Sequence, residues 1–115
     1  MNPSPDIWSA GPAPSLLASR DIRTGAVRFP PFRADSVLAA RQERVPLAST
    51  GRIYSFTTVH PNPKSGEKPF ALGYVDLPGP VRIFGRIRGE AVAVDAPCEV
   101  VPDEKLGYAF QTLSA

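Results

Sequence analysis

An all-β fold built around a small closed barrel is what this sequence predicts, and two observations carry the prediction. The 115 residues include 14 prolines and 9 glycines, which fall between short apolar runs instead of clustering. Proline lacks the N–H that helix interiors and central strands require, so this punctuation divides the chain into short strands and turns. The runs themselves are rich in β-branched and aromatic residues and alternate with period two, as half-buried strands do. Hydrophobic residues make up 43% and charged residues 21%, the composition of a folded domain rather than a disordered chain. A chain of this length builds one modest core.

Taken in order, residues 1–14 carry four prolines and little apolar periodicity, which predicts an extended N-terminal arm pinned by Ile7 and Trp8. Residues 16–20 and 26–29 read as a hairpin, with Gly25 supplying the turn and Pro30-Pro31 ending it. Residues 35–43 are Ala-rich with Asp35 or Ser36 as cap, which predicts a short helix. Residues 43–47 turn extended, and Thr50-Gly51 marks a boundary. Residues 52–60 (RIYSFTTVH) form the strongest strand. A polar loop at 61–69 with three prolines leads to a strand at 70–77, and Pro78-Gly79-Pro80 connects it tightly to a strand at 81–88. After a linking passage at 89–97, residues 98–101 and 107–113 are the last two strands, joined through 102–105. Five strands with a longer connection after the third fit a five-stranded barrel of the OB type. The expected organisation is an arm at 1–14, a ribbon-like hairpin region at 15–50 and the barrel at 51–115.

The residues argue against catalysis by this chain alone. Nucleophilic catalysis needs a nucleophile, a base beside it and a group to orient the base. The single histidine, His60, closes a strand before a proline-rich loop, where a surface role is the ordinary one. The single cysteine, Cys98, follows Pro97 in an apolar strand and reads as a small core residue. No Gly-rich phosphate loop precedes a helix, and Asp76, Glu90, Asp95 and Glu99 are scattered rather than paired. A lone cysteine makes no internal disulfide, and the opening MNPSPDIWSAG lacks a signal peptide's charged start and apolar stretch, so cytoplasmic residence is the default expectation. No apolar run approaches the ~20 residues of a membrane span, and no membrane insertion is expected. The net charge of +2 gives little reason for nonspecific capture of nucleic acid.

Two local patterns stand out. In residues 81–88, alternation sends Val81, Ile83 and Ile87 to one face and Arg82, Phe84, Arg86 and Arg88 to the other. Such a basic stripe can hold phosphates through guanidinium forks and stack a base on Phe84, with Lys64 and Lys68 in the neighbouring loop adding to an anionic-ligand site. The alternative is a solvated outer strand face. In the second pattern, Phe29, Pro30, Pro31, Phe32 and Arg33 place two aromatics around a rigid diproline, which suits a partner interface or packing against the barrel.

Residues 51–60, residues 69–77 and Gly85-Arg86-Ile87 together resemble the OB-fold family associated with acyl-CoA enzymes, a domain of unknown function that usually carries a rubredoxin-like zinc ribbon ahead of the barrel. The resemblance runs from residue 16 to the C-terminus. In zinc-binding members a Cys-x-x-Cys-Gly knuckle precedes a Phe-Pro-Pro, and a second Cys-x-x-Cys follows it. Here Asp21-Ile22-Arg23-Thr24-Gly25 stands at the first knuckle, with Asp21 and Thr24 at the cysteine positions, and residues 34–38 at the second contain neither Cys nor His. Structural zinc needs four N or S ligands, so the ribbon is expected to be metal-free and no cofactor is expected. Leu16, Leu17, Val27 and Phe29 are placed to hold the hairpin instead. The resemblance implies a non-catalytic accessory subunit that assembles with a thiolase-like or acyl-CoA hydratase-like enzyme and contacts its CoA thioester. A single-stranded nucleic-acid-binding OB module is the alternative, motivated by the arginine stripe; nucleic acid is not the expected partner. An independent thioester hydrolase relying on His60 comes third.

Overall fold

The structure, a computed structural model, describes residues 4–33, 35–104 and 107–113. The first three residues of the expected arm, Ala34 of the expected second knuckle and Lys105 of the last connection lie outside the described residues. Among the described residues, eight strands run in chain order: β1 (Leu17–Asp21), β2 (Val27–Arg28), β3 (Gln42–Pro46), β4 (Thr50–Val59), β5 (Phe70–Leu77), β6 (Val81–Arg88), β7 (Pro97–Val101) and β8 (Ala109–Thr112). β1 is the centre of a three-stranded antiparallel sheet in the order β2-β1-β3, and the other five close into a barrel in the order β4-β5-β6-β8-β7. β7 pairs with the start of β4 to shut the barrel, and β6 runs parallel to β8 while every other contact is antiparallel. This is the OB-type barrel that the strand spacing predicts.

The departures are local and have physical causes. The short helix at 35–43 is a 3₁₀ turn over Val37–Arg41, with Ser36 as the cap accepting from the Leu38 N–H. None of its residues is buried, so no packing face extends it into an α-helix. Thr50-Gly51 opens β4 rather than preceding it: both residues pair with β7, and a Cβ on Gly51 would stand 2.3 Å from the Asp76 carbonyl oxygen. Strand β7 begins one residue early at Pro97, since a proline is tolerated at a strand's first position. β8 is shorter than 107–113; Gly107 leaves extended geometry at φ +86°.

Alternation builds the core. Along β6 the pattern is strict, with Val81, Ile83, Gly85 and Ile87 buried, and the opposite ladder on β5 buries Gly73, Val75 and Leu77. Ile53, Cys98 and Phe110 complete the barrel interior. The same apolar cluster takes in Leu16 and Ala18 of the small sheet and Trp8 of the arm, so sheet, arm and barrel share one core. Trp8 is 3% exposed, and its indole N–H donates to the Gly107 carbonyl at 2.8 Å. The arm is therefore tied to the barrel, and Ile7 packs against the same cluster. Leu17 is only half-buried and stands outside that cluster. Successive positions of an extended chain face opposite ways, and Ala18 of β1 and Leu16 just before it take the core side.

Candidate functional site

The outer face of β4–β6 is assembled row by row from the strand register. Arg52, Asp76 and Arg82 stand side by side in the first row, and Ser55, Tyr74 and Phe84 in the second. Thr57, Leu72 and Arg86 follow, and Val59 lies opposite Phe70 in the fourth. Between Ile53 and Ser55 the register slips, so Tyr54 is the extra residue of a β-bulge and leaves the ladder. It ends 51% exposed beneath Arg82, whose guanidinium carbon lies 3.4 Å from the Tyr54 ring centroid.

Arg82 also forms a two-pronged ion pair: its Nε donates to Asp76 Oδ1 at 2.6 Å and its Nη2 to Oδ2 at 3.1 Å. This hydrogen-bonded carboxylate raises the Arg82 pKa further above its already high ordinary value. Tyr74 and Phe84 meet edge to face, with centroids 5.2 Å apart at 62°. Arg86 lies 4.3 Å over the Phe70 ring, and Arg88 pairs with Asp103 at 3.7 Å.

The alternation predicted for 81–88 is therefore what the strand does, but the basic stripe is divided along its length. Arg82 and Phe84 occupy the end that Asp76, Tyr54 and Tyr74 engage. Arg86 and Arg88 stand at the opposite end, beside a groove of about 380 Å³ whose lining also includes Phe56, Thr58, Phe70 and Val92. Lys64 and Lys68 are exposed in the 61–69 loop, which leads into Phe70 and so belongs to the Arg86–Arg88 end of the barrel. The 3₁₀ turn Pro63–Ser65 inside that loop is capped by the Asn62 side chain, which accepts from the Lys64 N–H.

Residues 29–33 are partly folded inward. The Phe29 ring packs edge-on against Tyr108 at 5.2 Å, and the Phe32 N–H donates to the buried Ser19 Oγ at 2.9 Å. Arg28 lies 4.3 Å over the Phe32 ring, while the exposed Arg33 pairs with Asp35. Pro30, Pro31 and Arg33 share a groove of about 700 Å³ with Asp6, Ile7 and Arg44. Arg44 fastens its two walls: one nitrogen donates to the Asp6 carbonyl and the other to the Phe32 carbonyl, each at 3.2 Å. The anchoring role of Arg44 was not readable from a lone arginine in an apolar-polar strand; nor was the place of Tyr54, since a bulge has no composition signal of its own.

At the first knuckle the residues do not fit a zinc ion. Asp21 Oδ1 accepts the N–H groups of Arg23 and Thr24 at 2.8 and 2.9 Å, and its other oxygen accepts from Gln42. The backbone N–H groups of Thr24 and Arg23 hold the Asp21 carboxyl below the ordinary carboxylate range. Gly25, at φ +77°, closes the same turn with its N–H on the Asp21 carbonyl. The carboxylate thus does locally what a ligated metal would do: it holds the tip of the hairpin. Among the described residues, no group of three or more His, Cys, Asp or Glu side chains is placed to hold a metal ion.

His60 is exposed just beyond β4. Cys98 is fully buried, and burial pushes its thiol up to about 11, which removes the thiolate needed for nucleophilic work near neutral pH. No helix among the described residues is long and apolar enough to cross a membrane.

A family model described as the ChsH2 C-terminal OB-fold domain matches residues 44–103. Among curated relatives, the benzoylsuccinyl-CoA thiolase subunit BbsA of Thauera aromatica is 34% identical over 89 residues, covering 74% of this chain and 62% of the relative. The BbsA subunit of Geobacter metallireducens is 30% identical over 89 residues, covering 75% of this chain and 61% of the relative. The chain thus spans 62% and 61% of the length of these relatives. The solved structure of the Ltp2-ChsH2(DUF35) aldolase aligns with a TM-score of 0.66 at 21% identity, covering 85% of this chain and 84% of that chain. At that identity the likeness establishes the fold.

Proposed function

This chain belongs to the ChsH2 C-terminal OB-fold family, and on that premise we propose that it is a non-catalytic accessory subunit that assembles with a thiolase-like or hydratase-like enzyme acting on acyl-CoA. The observation that carries the reading is its likeness to two proteins that are each named as a subunit of a CoA thiolase. The site chemistry supports it: the lone histidine is exposed at a strand end, and the lone thiol is buried with its pKa pushed up to about 11. The small sheet is taken to be held by Asp21, Arg44 and the shared core, without metal. Pro30, Pro31 and Arg33 are the part of the 29–33 segment left to touch a partner, while the Phe29 ring and the Phe32 backbone N–H hold the segment to the fold.

Within the complex, the Arg86–Arg88 end of the barrel with Lys64 and Lys68 is the part suited to the phosphates of a CoA thioester. Guanidinium and ammonium groups recognise phosphate oxygens by charge-assisted hydrogen bonds. In the assembled enzyme, the Arg86→Ser/Arg88→Ser variant is expected to raise KM for the thioester about tenfold with kcat held, the loss of about one charge-assisted contact. An unchanged KM would remove these residues from the thioester's path.

Affinity capture of the full chain from its native cells, followed by mass spectrometry, tests the main reading. Recovery of a thiolase-like or hydratase-like protein in stable proportion is the expected result, and recovery of the chain alone would overturn it. Purified by itself, the chain is expected to hydrolyse no acyl-CoA thioester, and His60→Ala is expected to change nothing.

A further inference from the structure

We propose that the outer face of β4–β6 around Tyr54, Tyr74, Phe84 and Arg82 is the docking surface of this chain, and that its occupant is an apolar patch with an acidic rim on the thiolase-type catalytic subunit. The inference rests on the accessory-subunit reading and specifies the surface that reading leaves open. Tyr54, Tyr74 and Phe84 are 51%, 45% and 46% exposed, and they are contiguous through the Tyr74–Phe84 cross-strand pair and the adjoining bulge. Three large aromatics left together in water on a rigid sheet are a feature that isolated domains avoid and interfaces favour.

Charge indicates what the occupant must offer. At this end of the face the outward charged positions are Arg52 and Arg82 against one carboxylate, Asp76, and the three strands carry no lysine or glutamate. Tyr, Phe and Arg are the residue types that concentrate binding energy at interface centres, and Lys and Glu are those depleted there. A surface with an apolar centre and acidic edge complements this face, and like-charged surfaces are turned away.

The same face could suggest a single nucleic acid strand, but the geometry is against it. Bases need free aromatic faces to stack on, and here the Tyr54 ring is covered by Arg82 and the Phe70 ring by Arg86. The guanidinium fork of Arg82 is already closed on Asp76. Tyr74 and Phe84 meet edge to face and so present a knobbed surface rather than parallel platforms. A protein surface can pack against such knobs, whereas a stacked strand cannot lie across them.

The test uses the full chain and the thiolase-like subunit identified by native capture. Tyr74→Ser/Phe84→Ser changes only outward residues, and a wild-type far-UV circular dichroism spectrum with a cooperative thermal transition certifies its fold. By surface plasmon resonance this variant is expected to bind the catalytic subunit at least about 100-fold more weakly than wild type, as the loss of two hot-spot aromatics dictates. Val37→Ser/Leu38→Ser, at exposed apolar positions on the 3₁₀ turn of the small sheet, is expected to bind as wild type does. Full affinity in the folded Tyr74/Phe84 variant overturns the docking face while leaving the accessory-subunit reading intact; absence of any complex with wild type overturns both. Tight, salt-sensitive binding of an oligothymidylate that the Tyr74/Phe84 variant loses would assign the face to nucleic acid instead.

Discussion

At the residue scale, two barrel glycines stand where a Cβ would run into neighbouring backbone, Gly51 and Gly73. Gly73 stands opposite Phe56, and a Cβ built on it would lie 2.1 Å from the Ser55 carbonyl oxygen and 2.8 Å from the Phe56 Cα. Both contacts are backbone, which cannot rotate away as a side-chain tip would. Gly73→Ala is therefore expected to destabilise the chain by about 3 kcal/mol or more, read as a fall in the urea midpoint at unchanged m-value. Cys98 sets a second expectation. Its folded pKa, about 11, is above the ordinary 9.0, so its contribution is fully present below the lower value and is lost as pH rises through the upper one. Relative to Cys98→Ala, wild type is expected to lose stability across that alkaline window and to resist alkylation until unfolded. A thiol that reacts rapidly in the native protein at neutral pH would contradict the burial argument.

At the scale of elements, the arm and the small sheet behave as parts of the barrel's core. Trp8 of the arm bridges to Leu16 through the backbone and to Gly107 through its indole, and Arg44 ties the Asp6 and Phe32 carbonyls together. Trp8→Ala is expected to cost about 3–5 kcal/mol, the range for removing a large buried aromatic, and to open the arm to limited proteolysis before the barrel is cut. Arg44→Ala is expected to open the arm with a smaller loss of stability, because it severs exposed hydrogen bonds without emptying the core. Proteolysis that begins in β5 or β6 instead would show that the arm contributes nothing to the order of unfolding. The bulge at Tyr54 illustrates the same scale from the other side: one unpaired residue in β4 lifts an aromatic out of the ladder and onto the outer face.

For the whole molecule, the expectation is a protein that works by contact. The single core spans arm, sheet and barrel, so the surface offered to a partner is rigid, and its binding carries little ordering cost. Because Asp21 caps the hairpin with its own carboxylate, incubation with a strong chelator is expected to leave the melting temperature unchanged; a drop would reveal a structural metal that the side-chain chemistry does not predict.

The alternation of 81–88, the composition of 52–60 and the Pro-Gly-Pro connection were sufficient to read the strands of the barrel, because period and turn chemistry are local properties of the chain. The division of the arginine stripe was not legible, since it depends on which side chains of the neighbouring strand each arginine meets: Asp76 directly opposite Arg82, and Phe70, whose ring Arg86 covers, diagonal to Arg86. Nor could the inward packing of Phe29 be told from an exposed patch, because both outcomes suit the same apolar segment. Local chemistry along the chain dictated where the backbone must extend and turn. Register and burial were decided only by the tertiary structure, because they arise from the closure of the barrel, which brings into contact residues that lie far apart along the chain.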